Sequence, residues 1–325
     1  HIGYASPSVW YEAHMKSPGF ELYGHYIAGL PFAPIGHTPD KAWGMTMFQS
    51  DDMLFYKEKL NPQNPKEVFH RGKWAKLKER SEVIEIKNEK PVTINLKQSP
   101  RGPIINHLVE SYAHIKEPIS MWWSFRSTEN DMSTAFYTLS HSTEFEDLPR
   151  LLDKVKAPSL NFVYADKKNN IAWWPLAKIP EFKKHVETKE FLNPENPDHY
   201  LIDYIPFDEK PHSINPKKGF IVSANSDPLH IAKTKHSISG YYCNKQRYLR
   251  IEKLLASKDD WTLESMKKVQ LDDLDHIRKN VIKKISASLK SQKNNLSELS
   301  KDSLAILEKW SGHHGLKEIG PTIYY

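Results

Sequence analysis

Cysteine is nearly absent from the sequence, which has Cys243 alone among 325 residues. A single thiol excludes an intrachain disulfide framework and a zinc site built from several cysteines. Long apolar runs are missing as well: no stretch approaches the roughly 18 consecutive apolar residues of a membrane-spanning helix, so we expect no membrane span. The signatures of serine hydrolases of the GxSxG type, of P-loop enzymes and of Rossmann enzymes are also missing.

Charge is not concentrated in one segment of the chain. The sequence has 46 Lys and Arg against 40 Asp and Glu, a formal net charge of +6, and the excess is spread along its length. A nucleic-acid groove needs clustered basic residues interleaved with stacking aromatic residues, so we expect no nucleic-acid partner. The 16 histidines include no HExxH motif, which argues against a zinc site of that type.

The pattern of apolar residues predicts a folded protein of the α+β class. Up to about residue 244, short apolar runs alternate with Gly, Pro, Asn and Asp, which predicts many strands and tight turns. Residues 148–156 predict one short helix in that part. From residue 245 onward, apolar residues recur at spacings of three and four, which predicts amphipathic helices with N-terminal caps at 262–264 and 300–303. We therefore expect residues 1–244 to be mainly sheet and residues 245–325 mainly helical.

Two stretches carry candidate chemistry. In GFIVSANSDP, a strand leads into Asn225, whose amide could stabilise a developing oxyanion; the alternative is an ordinary turn residue. In AWGMTMFQSDD, Gly44 could open a bend whose backbone N–H groups face a ligand, and the acids Asp51 and Asp52 could be caps, cation ligands or solvated. The tryptophan pairs at 122–123 and 173–174 are compatible with an aromatic binding surface or with core packing.

Several stretches together resemble one protein family. In order along nearly the whole chain, they are HIGYASPSVWYEAH, LPFAPIGHTPDKAWGMT, RGPII, NFVYADKKNNIAWWPLAKIP, GFIVSANSDP, QRYLRIEKLL, VQLDD and LEKWSG. Each is weak alone, but in this order they resemble the β subunit of the penicillin acylase family, amide hydrolases of the N-terminal nucleophile superfamily. Residues 1–325 are accordingly identified as a β-subunit fragment of a penicillin acylase-like hydrolase.

The resemblance implies part of a four-layer αββα N-terminal nucleophile hydrolase fold. In this family a precursor is cut so that a Ser begins the β subunit; its hydroxyl attacks the amide carbonyl and its own α-amino group serves as base. His1 matches a position inside the mature β subunit, and GPTIYY stops directly after a turn signal, so both termini look cut. We therefore expect the nucleophile to lie outside this chain, the chain alone to be inactive, and an α subunit from the same precursor to be its partner.

Four residues match catalytic positions of the family. Asn225 matches the oxyanion-hole Asn, and Met47 matches the residue whose backbone N–H is the second oxyanion donor. His1 matches a position that can hydrogen-bond near the nucleophile, with packing behind the site as the alternative. Arg247 matches an Arg that holds the network around the oxyanion Asn, with a structural salt bridge as the alternative.

Four apolar residues, Ile2, Pro34, Ile35 and Met45, match positions that line the acyl pocket of the family. The pocket is therefore expected to accept an aliphatic or aromatic acyl chain. Its depth is not set by these residues, because the α subunit contributes part of the family's pocket.

Many family members also bind a structural Ca²⁺ through acidic side chains. Asp51 fits one of these positions, but Leu54 and His236 stand where acids would be expected. Because Ca²⁺ requires a shell of oxygen ligands, a site here would be weakened or shifted, with Asp51 as the surviving ligand. No cofactor is expected for the chemistry itself.

The function that the resemblance implies is hydrolysis of the N-acyl bond of penicillin-like compounds, acyl-homoserine lactones or other acylated amines. A second hypothesis, from another class, is a non-catalytic homologue that binds acylated or aromatic ligands; the residue after the upstream processing site distinguishes the two. A glycan-binding module built on the tryptophan pairs is disfavoured, because the resemblance accounts for those segments. Family members are commonly exported, which implies a periplasmic or secreted protein.

Overall fold

The computed structural model describes residues 5–127, 129–141, 144–290 and 296–325. The chain divides into two compact units, His1–Cys243 and Asn244–Tyr325. The strands lie in the first unit, and the second unit is built from helices. None of the helices in the described ranges combines the length and the apolar character that crossing a bilayer requires.

Strands are the commonest regular elements of the described part of the first unit, as the alternation of short apolar runs with turn residues predicts. They are β1 (Trp10–Ser17), β2 (Phe20–Ile27), β3 (Ile35–His37), β4 (Lys41–Met47), β5 (Met53–Lys57), β6 (Leu60–Asn61), β7 (Asn64–His70), β8 (Lys73–Lys76), β9 (Lys78–Ile84), β10 (Val92–Gln98), β11 (Ile119–Trp123), β12 (Leu160–Asp166), β13 (Ile171–Leu176), β14 (Pro180–Glu181), β15 (Asp203–Tyr204) and β16 (Ser213–Ile214).

Seven of these strands form the largest sheet, in the order β1-β2-β3-β4-β12-β13-β16. Its neighbouring strands are antiparallel. Leu160 at the start of β12 lies opposite both Met47 at the end of β4 and Leu176 at the end of β13. The ends of β4 and β13 therefore lie at the same end of the sheet, one on each side of β12.

Both faces of this sheet are covered, because successive side chains of a strand point to opposite faces. On β13, Trp174 belongs to the larger core cluster, whereas its neighbour Trp173 packs with Phe48 and Ile179 in a second cluster. Trp173 and Trp174 are 0% and 2% exposed. This pair is therefore core on both faces and does not form a binding surface.

The described part of the first unit also contains the helices α1 (Ser124–Ser127), α2 (Met132–His141) and α3 (Leu148–Leu152). Of these, α2 and α3 pack on the larger cluster. Phe136 of α2 and Leu148 of α3 are buried in the same cluster as Phe162 of β12. The short helix expected over residues 148–156 is confirmed as α3, although it ends at Leu152. Helix α2 was not predicted.

Smaller sheets complete the described part of the first unit. β5 pairs with β11, β9 with β10, β14 with β15, and β6, β7 and β8 form three strands. Trp122 on β11 packs against the buried cluster of Leu54, Tyr56 and Leu192, and its ring stacks on Tyr204 with 6.2 Å between centroids. Trp122 therefore also packs against neighbouring side chains of the core.

The second unit contains α4 (Gln246–Leu255), α5 (Leu263–Gln270), α6 (Arg278–Lys290), α7 (Glu298–Lys309) and α8 (Gly320–Tyr324). The cap expected at Thr262 is confirmed: its side chain accepts from the backbone N–H of Ser265 in a capping box. The cap expected at 300–303 is wrong, because Ser297 caps α7 through the N–H of Ser300. A cluster of Ile282, Leu307 and Trp310 forms the core of this unit.

Candidate active site

The structure brings together two residues predicted for the oxyanion hole, Asn225 and Met47. The Asn225 Nδ2 atom donates to the Met47 carbonyl oxygen at 2.7 Å, across 178 positions of sequence. Met47 is the last residue of β4. The strand expected to lead into Asn225 is not formed: residues 219–224 (GFIVSA) are irregular, because no described strand pairs with them, and Asn225 lies in a bend. The side-chain amide and the main chain of Met47 therefore lie side by side at one end of the sheet.

The backbone N–H of Met47 points away from β12. The next N–H, that of Phe48, donates to the Ser159 carbonyl at 2.9 Å, and successive N–H groups of a strand point in opposite directions. On the far side, β3 pairs with β4 at Trp43 and Ala42 and does not extend as far as Met47. The main-chain donor predicted from the sequence is therefore directed beyond the paired part of the sheet, where a ligand could accept from it.

A buried amide, Asn161, holds this end of β4. Its Nδ2 atom donates to Thr46 Oγ1 at 3.0 Å and to the Met47 carbonyl at 3.1 Å. Its Oδ1 atom accepts from Trp173 Nε1 at 2.9 Å. The Thr46 hydroxyl in turn lies 2.8 Å from Ser223 Oγ, in the segment that leads to Asn225. One network thus connects β13, β12, β4 and the Asn225 loop.

Sequence reasoning missed this network, although one signal was available. Asn161 is 3% exposed and interrupts the apolar strand LNFVYAD. A polar residue in a buried strand needs a partner, because an unsatisfied buried polar group costs about 1–3 kcal/mol. The partners Thr46 and Trp173 could not be read from the sequence, since they lie on neighbouring strands.

The main chain of Asn225 has an uncommon conformation, with φ of 56°, and so does Gln49, with φ of 62°. When the Gln49 amide is oriented so that its NH2 group faces acceptors, that group donates to the carbonyls of Asn225 and Tyr241, at 3.1 and 3.3 Å. The Cys243 N–H also donates to the Asn225 carbonyl at 2.7 Å. Left-handed backbone at non-glycine residues costs on the order of 1–3 kcal/mol and persists where the surroundings fix it. These bonds fix the direction of the Asn225 side chain.

The predicted pocket residues that the structure describes lie on or beside two neighbouring strands. Pro34 is buried just before β3, and Ile35 is half-buried on it. Met45, on β4, is partly buried against the larger core cluster. β3 can approach β2 closely because Gly24 faces it: a Cβ on Gly24 would lie 2.6 Å from the Ile35 carbonyl oxygen, which leaves room only for glycine.

The structure does not test the three other predicted site residues. His1 and Ile2 lie outside the described residues. Arg247 lies in the first turn of α4, in the second unit. The roles expected for these three residues stay predictions.

Asp51 has one feature expected of a cation ligand, a buried carboxylate oxygen without a hydrogen-bond partner in the described part of the chain. It is 5% exposed, and its Oδ2 atom accepts a hydrogen bond from the Thr188 hydroxyl. Its buried Oδ1 atom has no hydrogen-bond partner among the described residues. A cavity of about 30 Å³ beside it is also lined by the hydroxyl-bearing Thr188, Ser237 and Ser239 and by Lys183.

Leu54 and His236, which stand where acids of the family's Ca²⁺ site were expected, have other partners in the structure. Leu54 is buried in an apolar cluster with Tyr56 and Leu192. His236 is held between two carboxylates, with Nδ1 2.8 Å from Glu181 Oε1 and Nε2 2.7 Å from Glu209 Oε2. Within the described ranges, no group of three or more His, Cys, Asp or Glu residues could hold a metal. Since Ca²⁺ takes roughly six to eight oxygen ligands, these residues fit the family's Ca²⁺ site poorly.

The network around Asn161 makes a testable prediction for stability. Replacing it by Leu keeps the approximate volume but leaves the Trp173 indole N–H buried without an acceptor, so the free energy of unfolding should fall by about 1–3 kcal/mol. Urea unfolding measures this. The exposed Asn95 on β10 provides a control, since Asn95→Leu should change the value by no more than about 0.5 kcal/mol. Equal stabilities of Asn161→Leu and wild type would contradict the role of the network.

The position of His236 makes a prediction for pH dependence. Burial by itself lowers the pKa of His236, but hydrogen bonds to Glu181 and Glu209 outweigh it and raise the pKa above its usual value. A raised pKa means that the folded state binds the proton more tightly. The resulting stabilisation is complete below about pH 6.5, the unfolded value, and is lost as the pH rises through the folded pKa.

The melting temperature, followed from about pH 6 to pH 8, should therefore fall for the wild type and stay flatter for His236→Gln. The Lys235 Nζ atom also lies 2.9 Å from Glu209 Oε2. The exposed His107 gives the control variant His107→Gln, which should behave as wild type. A wild-type slope retained in His236→Gln would show that another group is responsible.

Comparison with known proteins identifies the family. A family model described as penicillin amidase matches residues 1–325. An acyl-homoserine lactone acylase, QuiP, of Pseudomonas aeruginosa is 29% identical over 192 residues, which cover 57% of this chain and 23% of the relative. Penicillin G acylase of Escherichia coli is 22% identical over 260 residues, or 79% of this chain and 30% of the relative. The chain thus matches 23% of the length of one relative and 30% of the other, less than a third of each.

A solved structure agrees with this assignment. The thermostable penicillin G acylase from Alcaligenes faecalis superposes with a TM-score of 0.76 at 20% sequence identity, covering 96% of this chain and 55% of that chain. The likeness confirms the α+β class and the acylase fold that the sequence led us to expect. Because the family model covers the chain from end to end, the chain belongs to the penicillin amidase family.

Proposed function

We propose that this chain carries the oxyanion-stabilising part of an amide hydrolase that cleaves the N-acyl bond of acylated amines. The observation that supports this most strongly is the position of the Asn225 amide, 2.7 Å from the main chain of Met47. The Asn225 amide has a second N–H besides the one that donates to the Met47 carbonyl, and this N–H together with the Met47 N–H could bind the oxygen of a tetrahedral intermediate. Membership of the penicillin amidase family supports the reaction class.

In the proposed reaction, an N-terminal Ser outside this chain attacks the carbonyl carbon of the amide. Its hydroxyl proton passes, through water, to its own α-amino group, and the carbonyl oxygen becomes an oxyanion. The Met47 N–H and the Asn225 amide donate to that oxygen. The C–N bond then breaks as the amine takes the proton, which leaves an acyl-enzyme. Water attacks the acyl carbonyl and gives a proton to the α-amino group, and the ester C–O bond breaks as that proton returns to the Ser oxygen, releasing the acid. The family assignment, not the described geometry, supplies the nucleophile.

The Asn161 network has a specific part in this proposal. A donor stabilises a transition state best when it needs no reorientation at the moment of reaction. Asn161 holds the Met47 carbonyl and the Thr46 hydroxyl, so the peptide between β4 and the following loop has a fixed direction. Asn161 therefore acts as a positioning residue, not as a group that contacts substrate.

The substrate is proposed to have an apolar acyl group. Pro34, Ile35 and Met45 are apolar and lie on or beside β3 and β4, and Ile2 is proposed to join them. One relative is named for acyl-homoserine lactones and another for penicillin G. These compounds differ in both their acyl and their amine parts. An aliphatic or aromatic N-acyl amine is therefore the proposed class.

The remaining parts of the proposal follow from the family. An α subunit cut from the same precursor would be the partner, and Arg247 and His1 would support the network around Asn225 and the nucleophile. The protein would be periplasmic or secreted. The chemistry uses no cofactor; a Ca²⁺ ion, if one binds, would be held at Asp51 and would serve structure alone.

The proposal is tested by removing the Asn225 amide in the full-length protein that contains this chain. Asn225→Gly should lower kcat about 10²- to 10³-fold with little change in KM, because an oxyanion donor acts on the transition state. Glycine tolerates the positive φ of this position. Release of free amine from a panel of penicillins, acyl-homoserine lactones and simple N-acyl amines is the measurement.

A matched control is available at Asn169, which also has a left-handed φ, of 66°. Asn169→Gly should retain wild-type kcat, because this residue lies in the turn between β12 and β13. Full activity of Asn225→Gly would overturn the role of Asn225. A correctly cleaved wild type that binds N-acyl compounds but releases no amine would favour a non-catalytic binding homologue.

A further inference from the structure

A second cleft lies in the first unit, at the same end of the sheet as Met47 but on the far side of β12. It has a volume of about 570 Å³ and adjoins the end of β13, where the chain continues into Ala177 and Lys178. Four basic and two acidic side chains line it: Arg150, Lys156, Lys178, Lys210, Asp153 and Asp208. The proposed acylase reaction assigns no role to these residues.

Lys210 is the buried cation of this cleft. The residue is 3% exposed, its Nζ atom donates to the Ala177 carbonyl at 2.7 Å, and the Phe207 ring centroid lies 4.9 Å away. No carboxylate oxygen of the described residues forms an ion pair with it within 4.0 Å. An ammonium has three N–H donors, so one carbonyl satisfies only part of its capacity. Burial lowers the pKa of Lys210 to about 8, with the positive charge of Lys156 adding to this.

Two further lysines converge on the same place. The Lys178 N–H donates to the Lys156 carbonyl at 2.7 Å, which fixes the two main chains side by side. The Lys178 Nζ atom lies 4.1 Å from the centroid of the Tyr204 ring. Burial, and secondarily the charge of Lys156, lowers the pKa of Lys178. Three lysines therefore line one cleft, and the charge of Lys156 disfavours the protonated form of the other two.

The acids of the cleft do not balance this charge. Asp153 pairs with the Lys156 ammonium, and Asp208 is exposed. At the rim, the Arg150 side chain is 80% exposed and lies 3.6 Å from Asp147. The buried part of the cleft therefore has an excess of positive charge, and an anion bound there would relieve both the repulsion and the unmet donors of Lys210.

We propose that this cleft, formed around Lys210, Lys178 and Lys156, is a binding site for a small dianion with oxyanion oxygens, such as a phosphate or a dicarboxylate. The three ammonium groups approach from different elements, the β12–β13 region and the loop around Phe207. Such an arrangement suits a compact anion better than a long chain. The site is separate from Asn225 and does not depend on the proposed hydrolase activity.

Isothermal titration calorimetry on the full-length protein tests the site directly. The probes are inorganic phosphate, sulfate and succinate, each against sodium chloride at the same ionic strength. Binding of phosphate and sulfate alone would identify a tetrahedral anion site, and binding of succinate as well would identify a general dianion site; either result supports the proposal. Absence of binding by all three would overturn it.

Variants assign the binding to the cleft. Lys210→Met should weaken binding about tenfold or more, the usual effect of losing a charge-assisted hydrogen bond, whereas Lys66→Met, at an exposed lysine on β7, should leave it unchanged. Should Lys210→Met fail to fold, Lys178→Met and Lys156→Met decide the question in the same way. Wild-type affinity in these lysine variants would contradict the assignment.

The pH dependence of sulfate binding to the wild-type protein tests the role of Lys210 without a variant. Sulfate keeps its charge in this range, so its affinity should fall as the pH rises through about 8, where Lys210 loses its proton. Binding at and just above that pH should also be accompanied by proton uptake, because the bound anion raises the pKa of Lys210. This uptake is seen as a dependence of the binding enthalpy on the buffer. A sulfate affinity that stays constant from about pH 7 to pH 9.5 would contradict a role for Lys210.

Discussion

The carbonyl group of Met47 is the point on which the candidate active site depends. Two side-chain amides, from Asn161 and Asn225, donate to this one oxygen at 3.1 and 2.7 Å. Because a peptide unit is planar, fixing this carbonyl helps to fix the direction of the main chain at the end of β4. The same bonds join the Asn225 loop to the sheet, so the position of the Asn225 side chain and the geometry of the strand are set together.

This arrangement requires the core that surrounds it. Asn161 is buried at a strand position between apolar neighbours, and its Oδ1 atom is satisfied by the indole of Trp173, which is itself 0% exposed. In a low-dielectric interior, a satisfied polar network is rigid and an unsatisfied one is costly. The apolar clusters on both faces of the sheet therefore exclude water from the network. The network in turn directs polar groups toward the end of the sheet where β4 ends. The lysine cleft beyond β13 shows the opposite situation, with buried charge that protein groups satisfy only in part.

Local signals in the sequence were enough for the fold class, and long-range contacts account for what was missed. The strands and the helices α4 to α7 follow from apolar periodicity. α2 was missed because DMSTAFYTLSH is rich in aromatic and Thr residues, which also suit strands, and only its packing against β12 selects the helix.

Asn225 and Met47 were expected through the family resemblance, and the structure places them in contact. Asn161 and Lys210 were not expected, because their partners lie on other strands and loops. Leu54 and His236 stand where the resemblance led us to expect acids, and nothing in the sequence indicated that His236 pairs with Glu181 and Glu209.

The central claim is that the Met47 N–H and the Asn225 amide bind the developing oxyanion. The most direct measurement is a crystal structure of the full-length protein with a boronic acid analogue of an N-acyl substrate, which becomes tetrahedral on reaction with the nucleophile. The account predicts one boronate oxygen within about 2.7–3.1 Å of both Met47 N and Asn225 Nδ2. A tetrahedral adduct whose oxygens contact neither group would contradict it.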